Sequence, residues 1–323
     1  MGQAKKSNIR VVLASLILVV IIVVFAGFSV TSTKTENQLA KTASSVIPTV
    51  ILSTDTSTPI VILSLPPTST LFFTPTNSLT PIPDTRLKPY YWREWPVSPE
   101  LSLKAQEILH NAVSNPNLDL HTFSKVGDCQ MTSGTFLGGF ANGNYSVPDG
   151  FDETVRWFSD SMTSESVTAA NGLGINSVLN PMFGLAAGNT QCQMNETPLD
   201  CELRIRHPAV VLIAMGTNWM PNGELSFEKY LRVVVERILE TGALPILATK
   251  ADNIEGDWKL NQAIAQVAYD YDLPLVNVWR SVQDLPNHGL ESPKNIYLSG
   301  DGWMRSNYAW LDMLEKVRKV IAK

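Results

Sequence analysis

From residue 88 onward the chain alternates two kinds of hydrophobic pattern. After Ser98-Pro99, a good helix opening, LSLKAQEILHNAV sets Leu101, Ala105, Ile108, Leu109 and Val113 on one face at helical spacing, which predicts a first helix ending near Asn115-Pro116. HTFSKVGD reads as a short strand and VTAANG at 167–172 as a second. PAVVLIAMG at 208–216 is a continuous apolar run, the mark of a strand buried on both faces. SFEKYLRVVVERILETG predicts an amphipathic helix over 226–241, stopped by Gly242. LPILATK then predicts a strand, LNQAIAQVAYDYD a helix, LPLVNVWRSV a final strand, and residues 307–322 a last helix. Strands alternating with helices call for right-handed crossovers, so the expected fold class is α/β, a doubly wound parallel sheet covered on both faces. In such sheets ligands bind outside the carboxyl ends of the strands.

The pattern before residue 88 is different. Val11 to about Val30 is uncharged and apolar, long enough at ~1.5 Å per residue to cross a bilayer core. A cleaved signal peptide is the competing reading, but its apolar region runs only about 7–15 residues, and Ala26-Gly27-Phe28-Ser29 is a poor cleavage site. Lys5, Lys6 and Arg10 precede the stretch and only Lys34 follows it closely, so the expected topology is a single-pass anchor with the C-terminal part outside the cytoplasm. Residues 31–87 are dense in Ser, Thr and Pro and read as an extended, disordered stalk. Val50-Ile51-Leu52 and Ile60–Leu63 leave a small strand pair open there. The expected organisation is therefore a cytoplasmic tip and membrane anchor at 1–30, a linker at 31–87, and one globular domain at 88–323.

The formal net charge is −5 and no basic stripe is present, which excludes nucleic acid as the expected partner and leaves the membrane. No HExxH or comparable motif occurs, so no metal and no cofactor is expected. The three cysteines divide unevenly in an oxidising compartment. Cys192 and Cys201 flank QMNETPLD and look paired; closing so short a loop removes roughly 2.5–3 kcal/mol of unfolded-chain entropy. The alternative is that all three are reduced and buried. Under the pairing, Cys129 is left over.

Three short blocks fall at expected strand ends: Gly127-Asp128-Cys129, Gly216-Thr217-Asn218 and Asp301-Gly302-Trp303-Met304. In order and spacing they resemble the blocks of the SGNH hydrolases, the GDSL esterase and lipase family, over about residues 120–320. The resemblance implies a flavodoxin-like sheet of the SGNH type. In the family the first block is Gly-Asp-Ser with a nucleophilic Ser, the second and third supply a Gly and an Asn as oxyanion donors, and the last is Asp-x-x-His. Carried onto this chain, the resemblance implies Cys129 as nucleophile, Asp301 as the acid, and Gly174 (with Gly172 close behind) and Asn218 as oxyanion donors. Met304 stands where the His belongs, and Trp219 replaces the Asp that usually follows the Asn.

The residues themselves qualify that picture. A thiol in the first turn of a helix feels the positive end of the dipole, which lowers a Cys pKa from about 8.5 toward neutrality. The competing reading of GDC is a buried small residue at a strand-to-helix turn, with Asp128 as a cap. Met cannot transfer a proton, and general acid–base help is worth roughly 10²–10⁴ in rate. His110 and His207 are expected to be structural, and His121 begins the first strand at the wrong end. His288, in the loop after the final strand, is the candidate displaced base, against its reading as a solvated loop residue. Asn218 also reads as a turn residue. Trp219 and Trp303 are expected on the cleft rim, with Trp258 near it, where their faces suit sugar rings or acyl chains; filling the core is the alternative. The leading expectation is a membrane-anchored extracytoplasmic ester hydrolase acting on acylated glycans or lipids, with an altered site. The rivals are a non-catalytic relative binding a cell-envelope glycan or a protein partner, and a thiol-dependent acyl transferase.

Overall fold

The computed structural model describes residues 84–183, 191–218, 223–293 and 295–322. These belong to the second of two compact units, Leu79–Lys323. The expected membrane helix, nearly all of the stalk, and Trp219 lie outside the described residues. Among the described residues no helix is long and apolar enough to cross a membrane.

The named strands among the described residues form one parallel sheet in the order β1 (Asp119–Gly127), β2 (Pro208–Ala214), β3 (Leu244–Ala248) and β4 (Leu275–Val276). Gly127 pairs with Ala214 on one side and, as an isolated parallel bridge, with Ala169 on the other. The chain therefore leaves β1 for its outer edge and then crosses back to lay down β2. That reversal is a topological switch point, the place where open α/β sheets bind ligands. Every residue of β3 and all but the last of β2 are buried, as the apolar runs predict for strands covered on both faces.

Five longer helices cover the sheet: α1 (Leu103–Val113), α2 (Pro198–Arg206), α3 (Glu224–Glu240), α4 (Lys259–Tyr271) and α5 (Gly300–Ile321). α1 packs against α5, α3 against α4, and α2 against β1. The Ser124 hydroxyl of β1 donates to the buried Glu202 carboxylate of α2 at 2.8 Å, joining strand to helix through a hydrogen bond.

Four sequence expectations change. The 167–172 strand shrinks to the Ala169 bridge, because side chains take over its hydrogen bonding: Ser166 and Thr168 hydroxyls donate to Lys125 O at 2.8 and 2.6 Å, and Val167 N donates to the Glu202 carboxylate. The final strand stops at Val276, where buried Asn277 accepts from Arg280 N, opens a short helix (Val278–Ser281), and donates to Trp92 O at 2.8 Å. α1 starts at Leu103 under a Ser102 cap to Ala105 N rather than at Ser98-Pro99, and Ala112 rather than Val113 faces the core. α5 starts seven residues before the expected 307, at Gly300, because Ser299 caps it by accepting from Gly302 N, so the Asp301–Met304 block is helical instead of a loop. Two glycines in that first turn hide it from a propensity reading. In addition Arg86, from the end of the expected linker, donates to Tyr269 O and Asp272 at 2.9 Å each.

Gly302 is fixed by contact: a methyl group there would sit 2.1 Å from Gly289 O, whereas one at Gly300 would meet open space. Gly302→Ala is expected to lower unfolding stability by about 1–3 kcal/mol in chemical denaturation, while Gly300→Ala holds or slightly raises it. Equal midpoints for the two variants would contradict this packing.

Candidate functional site

β1 ends on a glycine because the chain folds back tightly there. A methyl group on Gly127 would lie 2.1 Å from Met131 Cγ and 2.9 Å from Ala214 O. Asp128 follows, buried at 1% exposure. One of its carboxylate oxygens accepts from Gln130 N at 3.1 Å and the other from Thr217 N at 3.0 Å. The carboxylate thus joins the turn after β1 to the loop after β2, across the switch point. Burial pushes its pKa up, against the pull of those hydrogen bonds.

Cys129 opens a 3-10 turn of three residues, Cys129–Met131. It is 9% exposed, and its thiol faces Asp128 Oδ1 at 3.8 Å. Burial, then the Asp128 charge and hydrogen bond, push the thiol up to about 12. The expected activation by a helix dipole is therefore reversed. A single 3-10 turn aligns too few peptide units to hold a thiolate, and the nearest charge is negative.

The two expected oxyanion donors do come together. Asn218, exposed, donates from Nδ2 to Leu173 O at 3.4 Å, and a methyl group on Gly174 would lie 3.6 Å from Asn218 O. Gly216 makes this possible with φ of 126°, a conformation that glycine tolerates far better than other residues.

The acid and the base are not assembled with the thiol. His288 is exposed, and its Nδ1 faces Gln283 O at 3.2 Å. Asp301 is exposed in the first turn of α5, not in the loop that carries His288. Among the described residues no hydrogen bond or ion pair joins Cys129, His288 and Asp301. Trp303 and Met304 are half-buried against the core. His121 stacks on Trp157 with ring centroids 4.0 Å apart, His207 ends α2 in a left-handed conformation, and His110 sits exposed in the last turn of α1. Cys192 and Cys201 are disulfide-bonded, which removes the all-reduced alternative. Glu196 approaches both sulfurs, but neither sulfur is a free thiolate able to ligate a metal.

Sequence reasoning missed a buried ion cluster at the end of β3. Lys250 Nζ lies 2.8 Å from Asp252 Oδ1 and 2.6 Å from Glu255 Oε2, with the three side chains 5%, 1% and 0% exposed. The Glu255 contact is a charge approach without hydrogen-bond alignment, and Asp252 Oδ2 has no partner. Lys250 also leans on the Gly216 turn, its Nζ 3.5 Å from Gly216 O. Asp252 adds to the upward push on both Asp128 and Cys129. The signal was Lys-x-Asp-x-x-Glu directly after an apolar strand, a charge run that a buried sheet end has to neutralise. A cavity of about 20 Å³, with room for roughly one water, lies among Asp128, Thr217, Lys250 and Ser306.

No family model matches this chain, and no curated protein does. Among solved structures it is similar to a GDSL-like lipase from Bacteroides thetaiotaomicron, with 14% identity over 66% of this chain and 97% of that one, at a TM-score of 0.39. It is also similar to an alpha/beta hydrolase enzyme from the metagenome of Lake Arreo, Spain, with 15% identity over 62% and 99% of the respective chains, at a TM-score of 0.40. Likenesses at this level assign no residue a role, and the site rests on its own geometry.

Asp128→Ala removes the acceptor of two backbone N–H groups at once. It is expected to cost about 1–3 kcal/mol for each donor left dry, read as a lowered denaturation midpoint. A midpoint unchanged from the native chain would show that the carboxylate holds nothing together.

Proposed function

We propose that this chain is a membrane-anchored, extracytoplasmic binding module on an SGNH-hydrolase-like, flavodoxin-type scaffold, in which ester hydrolysis has been lost and recognition retained. The single observation that carries the proposal is the setting of Cys129: a buried thiol that faces the Asp128 carboxylate at 3.8 Å, with no hydrogen bond to His288 or Asp301 among the described residues. Burial and the adjacent carboxylate both push its pKa up, which favours the unreactive thiol form. Covalent catalysis needs an adjacent base or a lowered pKa to activate its nucleophile. Met304 supplies no proton transfer, and His288 is bonded elsewhere.

Recognition keeps its support. Gly174 and Asn218 lie together at the carboxyl edge of the sheet, where they suit a carbonyl oxygen of an acylated glycan or lipid of the cell envelope. The apolar run from Val11 to Val30 and the Ser/Thr/Pro-rich stretch after it support an anchor and a spacer. The disulfide accords with an oxidising compartment. The same Gly174–Asn218 pair favours a second reading, an ester hydrolase or acyl transferase. That reading requires the Cys129 turn to open and a base to reach it.

Full-length protein given p-nitrophenyl acetate is expected to show no turnover beyond that of Cys129→Ala. Turnover that disappears in Cys129→Ala would overturn the binding reading in favour of the hydrolase.

A further inference from the structure

The loop that carries His288 forms one wall of a cleft of about 750 Å³, and the loop after β3 forms the other, with Asn253 and Trp258. That volume is in the range of small-molecule sites, roughly 300–1,000 Å³. We infer that this cleft is a binding subsite for a neutral carbohydrate, an inference that rests on the reading of the domain as a binding module.

The chemistry of the walls fits such a ligand. Among the described residues that line the cleft there is no Lys, Arg, Asp or Glu. The hydrogen-bonding groups are amides and an imidazole, and several retain free capacity. Asn253 Oδ1 accepts from Trp258 N at 3.0 Å, and its Nδ2 has no partner among the described residues. Gln283 Nε2 donates to Trp279 O at 2.7 Å, which leaves its Oε1. His288 Nδ1 lies 3.2 Å from Gln283 O, which leaves Nε2 for a ligand. The Asn287 amide makes no hydrogen bond among the described residues. Donors and acceptors mixed in this way suit hydroxyl groups, each of which gives one hydrogen bond and takes others. An anion would call for Arg, Lys or clustered backbone N–H groups, and a cation for carboxylates.

The cleft is also rigid. Trp258 is held by Trp92 and Trp279, with ring centroids at 6.0 and 5.8 Å, so its indole is placed before any ligand arrives. Exposed Ile254 lines the same cleft, so the walls offer apolar surface as well as amides, while the Arg93 guanidinium lies 5.5 Å from the Trp258 ring centroid.

Its backbone is strained as well. Trp258, Asn287 and His288 have φ of 62°, 51° and 53°, in the left-handed region that non-glycine residues avoid. All three line this cleft. Such residues cluster at ligand clamps, where the surrounding structure over-determines them. Here Gly289 is the brace: it follows the two strained residues, a methyl group on it would sit 2.5 Å from Val282 Cβ, and its carbonyl accepts from Ser299 N at 2.8 Å.

The test is calorimetric titration of the full-length protein with cellotriose, maltotriose and chitotriose in parallel, and with a proline-rich peptide as the competing ligand class. At least one saccharide is expected to bind and to change tryptophan fluorescence. Asn287→Gly, which keeps the left-handed backbone while removing the amide, is expected to weaken that binding about tenfold, as the loss of two hydrogen bonds predicts. Absence of saccharide binding, equal affinity in Asn287→Gly, or binding of the peptide alone would overturn the subsite. The two proposals separate cleanly. Saccharide binding that responds to Asn287→Gly in a protein that also hydrolyses esters through Cys129 keeps the subsite and removes the non-hydrolytic reading. No saccharide binding and no turnover removes the subsite alone.

Discussion

The two oxygens of one carboxylate, Asp128, tie the turn after β1 to the loop after β2. Each takes a backbone N–H, from Gln130 and from Thr217, at the point where the chain reverses its direction across the sheet. Without it two buried donors would face no acceptor, and the edge that carries Gly174 and Asn218 would lose its anchor. The same anchor decides the chemistry. A carboxylate placed to hold these loops lies against the Cys129 thiol, and together with burial it drives that thiol away from its reactive form. The geometry that ties the two loops together also favours the protonated form of the Cys129 thiol.

A second constraint sits beneath this edge. Lys250 carries one positive charge among Asp252 and Glu255 in a nearly dry space, and it leans on the Gly216 turn. Removing one partner of such a cluster leaves an uncompensated buried charge, which is strongly destabilising. Its electrostatic reach extends to Asp128 and Cys129, both of which Asp252 pushes upward. The carboxyl edge is therefore acidic and closed around Cys129. The open cleft, whose described lining residues include no Lys, Arg, Asp or Glu, lies to one side, around Trp258 and His288.

The sequence exposes some of this and hides the rest for identifiable reasons. The apolar run 208–216 and the amphipathic 226–241 pattern became β2 and α3 almost residue for residue, because burial on two faces or one stripe leaves a direct mark on composition. The Cys192–Cys201 pairing was legible from loop length. Gly174 was picked from the glycine-rich loop after the expected 167–172 strand; that strand is only the Ala169 bridge, yet the loop still lies beside Asn218. The thiol's state was not legible. Whether a Gly-Asp-Cys opens a long helix or a three-residue turn depends on Met131 folding back over Gly127, a tertiary contact. The start of α5 was hidden by Gly300 and Gly302, where a Ser299 cap and a close approach to Gly289 override low helix propensity. Strain at Asn287 and His288 likewise has no sequence signature, since the brace at Val282 and Ser299 appears only in three dimensions.

The account stands or falls on the ionisation of a single sulfur, and the most direct measurement is the ultraviolet thiolate absorbance of the native full-length chain against pH, with Cys129→Ala as the baseline. The account predicts no thiolate step below about pH 10, in keeping with a thiol pushed up to about 12. A Cys129-dependent step near about pH 7 would contradict it, because an ionised, accessible thiolate is what a working nucleophile at this position needs.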